Sequence, residues 1–137
     1  MSNKFLFFSA EAQSPTGKYL MNIYYPIETK FNEIYASKYA NEELDDIAII
    51  FICTDEQMHE RGFYKERNYI SRKNKYADMR LDIPYNEFKR ADEKVRKQMM
   101  WEVIKRALDN IRRKKVFGRI DELEEDLFSV YWSQESG

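Results

Sequence analysis

Ile47-Ala48-Ile49-Ile50-Phe51-Ile52-Cys53 is seven residues long and carries no polar side chain. A strand with one wet face alternates apolar and polar residues. An unbroken run rich in β-branched residues reads instead as a central strand covered on both faces. The run is far too short to cross a bilayer, which takes about 20 apolar residues. A sheet is therefore expected, and the flanking segments decide how it is built.

Downstream, residues 64–72 and 75–83 read as a hairpin turning through Arg72-Lys73-Asn74-Lys75. In the second arm Tyr76, Asp78, Arg80 and Asp82 alternate with Ala77, Met79, Leu81 and Ile83, the period of two of a strand with one buried face. Pro84 ends it. Residues 54–62 read as a loop or short helical turn. Residues 92–115 read as the longest helix, capped by Asp92, with Val95, Met99, Met100, Val103, Ile104, Ala107, Leu108 and Ile111 as its apolar stripe. The cations from Arg112 to Lys115 suit a helix C-terminus. After Gly118, a short helix over residues 120–131 places Ile120, Leu123, Leu127 and Val130 on one side. Residues 133–137 read as a frayed tail.

Upstream, the Phe-rich residues 4–10 read as a first strand and residues 11–17 as a polar connection. Residues 18–27, with Tyr19, Leu20, Met21, Ile23, Tyr24 and Tyr25, read as a second strand completing a hairpin. Thr29 can then cap a helix carrying Phe31, Ile34, Tyr35 and Tyr39 on one face, followed by an acidic connection over residues 41–46. The expected fold is α+β: a mixed or antiparallel sheet of about five strands packed against a long helix, with shorter helices. The 137 residues suit a single domain, and 43% hydrophobic composition supports a core without a metal or disulfide. The one cysteine, Cys53, excludes an intrachain disulfide. With Glu11 interrupting the first apolar run and no span of membrane length, the expectation is a soluble cytoplasmic chain without a membrane partner.

Catalytic signatures are sparse. The one histidine, His59, lies beside Asp55, Glu56 and Glu60, a weak general-base arrangement with no identifiable partner nucleophile. One histidine and one cysteine make no Cys/His metal cluster, and Gly17-Lys18 and Gly62 form no phosphate-binding loop. The expectation is a non-enzymatic chain with no cofactor and no metal.

Charge is strongly blocked. Residues 1–60 carry a net −6, residues 61–120 a net +11, and residues 121–137 a net −6. Such polarity serves either solvation with internal matching or selection of a partner. The basic hairpin around residues 65–80 interleaves cations with Tyr69 and Tyr76, which keeps open nucleic-acid binding, or another cytoplasmic regulatory role, as the alternative function. The acidic blocks on either side disfavour direct nucleic-acid binding. The other candidate surface is the last helix, where Asp121, Glu122, Glu124, Glu125 and Asp126 crowd the first turns beside Phe128, Tyr131 and Trp132. The partner-binding candidates are Asp121, Glu122, Glu125, Asp126, Tyr131 and Trp132. Acidic residues at Glu42, Glu43, Asp45 and Asp46 could make the contact instead.

The stretch from Gly62-Phe63-Tyr64-Lys65-Glu66-Arg67-Asn68-Tyr69 through Ile70-Ser71-Arg72-Lys73-Asn74-Lys75-Tyr76-Ala77-Asp78-Met79-Arg80-Leu81 resembles the central motif of immunity protein family 44. This is a family of bacterial polymorphic-toxin and contact-dependent inhibition systems. Ile83-Pro84-Tyr85-Asn86-Glu87-Phe88, Ala91-Asp92-Glu93 and the helix from Val95 are similar to the family's segments C-terminal to that motif. The resemblance covers residues 45–112. It implies a non-enzymatic protein that binds and neutralises the C-terminal domain of a cognate toxin, frequently a nuclease. It assigns no contact residue.

Overall fold

The computed structural model describes residues 4–57 and 65–133. Its elements are β1 (Phe5–Ala12), α1 (Thr16–Lys38), β2 (Asp46–Cys53), β3 (Arg67–Ser71), β4 (Tyr76–Asp82), α2 (Tyr85–Arg90), α3 (Glu93–Lys114) and α4 (Ile120–Ser133). The class is α+β. The four strands form one mixed sheet in the order β1-β2-β4-β3. β2 lies between parallel neighbours β1 and β4, and β3 pairs antiparallel with β4. From Ile47 to Cys53 every residue of β2 is buried, as an interior strand requires.

The N-terminal hairpin is not formed. Residues 18–27 belong to the 23-residue helix α1, so the sheet has four described strands where about five were expected. The parallel pairing of β1 with β2 accounts for this. Parallel neighbours cannot be joined by a tight turn and need a crossover, usually a helix. Tyr19, Tyr24 and Tyr25 favour strands locally, but Leu20, Ile23, Tyr24, Ile27, Phe31 and Tyr35 recur every three or four residues and all are buried. Burying each large side chain contributes about 1.5–3 kcal/mol, and together they outweigh the ~3 kcal/mol disadvantage of Pro26 inside the helix.

Leu6 and Phe8 of β1, Ile47, Ile49 and Phe51 of β2, and Ala77, Met79 and Leu81 of β4 share one face of the sheet. They form a single core with the buried residues of α1, α3 and α4. On α3 this core takes Met100, Trp101, Val103, Ile104, Ala107, Leu108 and Ile111, whereas Val95, in the first turn, is 48% exposed. Asp92 caps α3 as its spacing suggests: its carboxylate accepts from the Val95 N–H at 2.9 Å. α1 is one residue longer than α3. The turn over residues 72–75 joins β3 to β4, with Lys75 at φ 55°. On the opposite sheet face Phe7, Ala48, Asp78 and Tyr69 lie in register across all four strands.

His59, the start of the first hairpin arm and residues 134–137 of the expected tail lie outside the described residues. Ser133 itself is the last residue of α4. Among the described residues no helix is long and apolar enough to cross a membrane.

Candidate partner-binding surface

α4 buries Ile120, Leu123, Leu127 and Tyr131 against the core, and so turns its carboxylates outward. Asp121 and Glu122 sit in its first turn, where negative charge meets the positive end of the helix dipole. Most of the acidic block is engaged within the chain. Arg112 of α3 donates to Asp121 at 3.0 Å, to Glu124 at 3.0 Å and to Asp109 on its own helix. The bond to Glu124 is the largest cause of the raised Arg112 pKa. Arg119 donates to Glu122 and to the Lys38 carbonyl, and its guanidinium lies 4.8 Å from the centre of the Tyr39 ring.

Asp126 accepts from the Tyr39 hydroxyl at 2.5 Å and pairs with Lys38 at 2.7 Å. Burial acts to raise its pKa, but the bonds from Lys38 and Tyr39 outweigh burial and hold the carboxyl below its ordinary range. Burial, followed by the bond to Asp126, pushes the Tyr39 phenol upward. These pairs fasten α4 to the end of α1 and to α3. They also neutralise much of the charge that sequence alone assigns to a partner.

Glu125 is different. It is exposed, and among the described residues it makes no hydrogen bond or ion pair. It faces an open groove of about 460 Å³ between α3 and α4, lined by Trp101, Lys105, Glu124, Glu125, Phe128 and Ser129. Trp101 is buried, Phe128 is 50% exposed, and their rings meet edge to face at 5.3 Å.

The two aromatic candidates separate. Tyr131 is fully buried and its hydroxyl donates to the Lys97 carbonyl, so its ring is part of the core. Trp132 is half-buried, 6.1 Å from Phe128 between ring centres. The helical spacing Leu123, Leu127, Tyr131 marks Tyr131 as interior and leaves Phe128 on the outer face. Trp101, which lines the groove, lies one helical turn before Ile104 and two before Leu108, so its spacing places it with the stripe.

The basic hairpin is also tied in. Arg72 donates to the carbonyls of Lys114 and Lys115 at the end of α3, at 3.2 and 3.3 Å, where a cation suits the helix dipole. Arg80 donates to Glu11 at 2.5 Å and lies 3.4 Å from Asp78. Glu66 pairs with Arg106 of α3 at 3.0 Å and accepts from the Asp82 N–H at 2.9 Å. Arg67 and Arg80 face each other across the strands, so no opposite-charge pair forms there. Arg67 instead lies over Tyr69, at 5.2 Å. Among the described residues no group of three or more His, Cys, Asp or Glu is placed to hold a metal ion. Cys53 is buried at the end of β2, and burial pushes its thiol up to about 12.

Neither a curated protein nor a solved structure matches the chain. The family model described as Immunity protein 44 matches residues 5–131, from the first strand to the last turns of α4, and the chain belongs to that family.

Proposed function

We propose that this protein neutralises a toxin domain by binding it stoichiometrically in the cytoplasm of the cell it protects, with no catalytic step and no cofactor of its own. The family match over residues 5–131 carries this reading. The surface we assign to the contact is the outer face of α4 with its α3 neighbour, including Asp121, Glu122, Glu125 and Asp126, with Trp132 at its margin. Glu125 and the 87%-exposed side chain of Asp121 offer charge that a basic partner can reach. A nuclease is the toxin class this surface fits best, since a cleft that binds phosphates presents cations to which carboxylates are complementary. Such complementarity speeds encounter and rejects wrong partners.

The deciding experiment is co-expression with the C-terminal domain encoded directly upstream of this gene. The two chains should co-purify in fixed ratio, and cells should survive a domain that is otherwise toxic. No complex and no protection would overturn the proposal. Reversing Glu125, which has no partner among the described residues, to Lys tests the surface separately. Association should slow markedly at low salt, and an unchanged rate and affinity would remove α4 from the contact.

A further inference from the structure

The carboxylates of α4 follow a pattern that one of them leaves incomplete. Glu122 takes the Arg119 guanidinium, which lies over the Tyr39 ring. Glu124 takes the Arg112 guanidinium. Glu125 has no such partner among the described residues, yet it stands one turn from Phe128, whose ring is half exposed on the wall of the same groove.

A carboxylate beside an aromatic face is a site for a planar cation. The guanidinium can stack on the ring while its N–H groups donate to the carboxylate, which a compact ammonium does less well. The chain uses that arrangement at Arg119 over Tyr39, and stacks Arg96 over Tyr19 at 3.9 Å. Resting on the toxin-binding reading above, we propose that the groove between α3 and α4 receives one arginine side chain of the toxin domain, stacked on Phe128 and hydrogen-bonded to Glu125.

Trp101 supplies a desolvated floor, the setting in which an aromatic and an arginine make an interface hot spot. Lys105 lies on the opposite lip, from α3, and makes no ion pair among the described residues. It opposes the incoming cation. Glu125 and Phe128 are thus attractive elements and Lys105 a repulsive one, so the three have effects of different sign.

The test measures binding of the toxin domain encoded directly upstream to the wild-type chain and to Glu125→Gln, Phe128→Ala, Phe128→Leu and Lys105→Ala. Thermal unfolding of each variant confirms that it folds. Glu125→Gln and both Phe128 variants should weaken binding about tenfold or more, as expected for loss of a central anchor. Lys105→Ala should tighten it by a few-fold at low salt. A double-mutant cycle against each arginine of the toxin domain should find one arginine coupled to Glu125. Wild-type binding with unaffected Glu125 and Phe128 variants, or with no coupled arginine, overturns the groove and leaves stoichiometric binding standing. Absence of wild-type binding overturns both.

Discussion

The side-chain amide of Asn32, on α1, holds both backbone groups of Leu6, on β1: its Oδ1 accepts from the Leu6 N–H at 2.9 Å and its Nδ2 donates to the Leu6 carbonyl at 2.6 Å. One turn earlier Glu28 accepts from the Phe8 N–H at 2.7 Å. β1 is an edge strand, and an edge with free backbone groups invites pairing with another chain. Asn32→Ala should therefore cost about 1–3 kcal/mol through unpaired, part-buried groups. It should also raise concentration-dependent light scattering. Asn32→Asp, which keeps the acceptor and loses the donor, should fall between. Denaturant unfolding with unchanged midpoints would refute the edge-closing role.

Glu28 and Asp126 should give opposite pH dependences. Burial raises the Glu28 pKa, with the bond from Phe8 acting against it. A raised carboxyl contributes stability that is present at low pH and lost as pH rises through its folded value. Glu28→Gln keeps an acceptor for Phe8 and stays neutral, so it should be the more stable protein at pH 7. Its advantage should close below about pH 4.

Asp126 has a lowered pKa, so its contribution is present at neutral pH and lost as pH falls below about 4. Asp126→Asn should destabilise by about 1 kcal/mol at pH 7, part of the usual value being screened at this partly exposed site. The deficit should shrink as pH falls below about 4 and close only once pH has passed the lowered folded value. Denaturation midpoints measured from pH 3 to 8 for both variants check the two signs together, and parallel profiles would contradict the assignment.

Tyr131 should matter to folding and leave the contact alone. Tyr131→Ala empties a fully buried ring site and should cost about 3–5 kcal/mol. Tyr131→Phe, which loses only the bond to the Lys97 carbonyl, should cost about 1 kcal/mol. Toxin affinity per folded molecule should be unchanged in Tyr131→Phe. A tighter or weaker complex without a shift in unfolding would place this residue on the surface after all.

Cys53 should be inert in the native protein. Burial removes access and holds the thiol protonated. At pH 8 its reaction with a disulfide reagent should be slower than in denaturant by on the order of 100-fold or more, because it must wait for opening. A fast native reaction would show that the end of β2 is open.

Periodicity makes several elements legible in the sequence. The apolar run of β2, the alternation through β4 and the capped stripe of α3 all depend on which residues lie on one face of a local backbone, and that is a property of the chain itself. Residues 18–27 carried two messages: strand propensity from the tyrosines and helical spacing from Leu20, Ile23, Tyr24 and Ile27. The pairing direction of β1 with β2 chose between them, and no local window contains that choice.

The same division runs through the candidate surface. The dense carboxylate block of α4 beside aromatic residues, and the central motif that resembles the family, are written in the order of the residues. Which of those carboxylates remain available depends on packing between elements distant in the chain. Arg112 and Arg119 come from outside or from the edge of α4, and Lys38 and Tyr39 from the far end of α1, to engage Asp121, Glu122, Glu124 and Asp126. Glu125 is left facing the groove, and Tyr131 turns inward while Phe128 stays out. Charge and hydrophobicity are properties of residues, but availability depends on which distant groups the fold brings within a few ångströms.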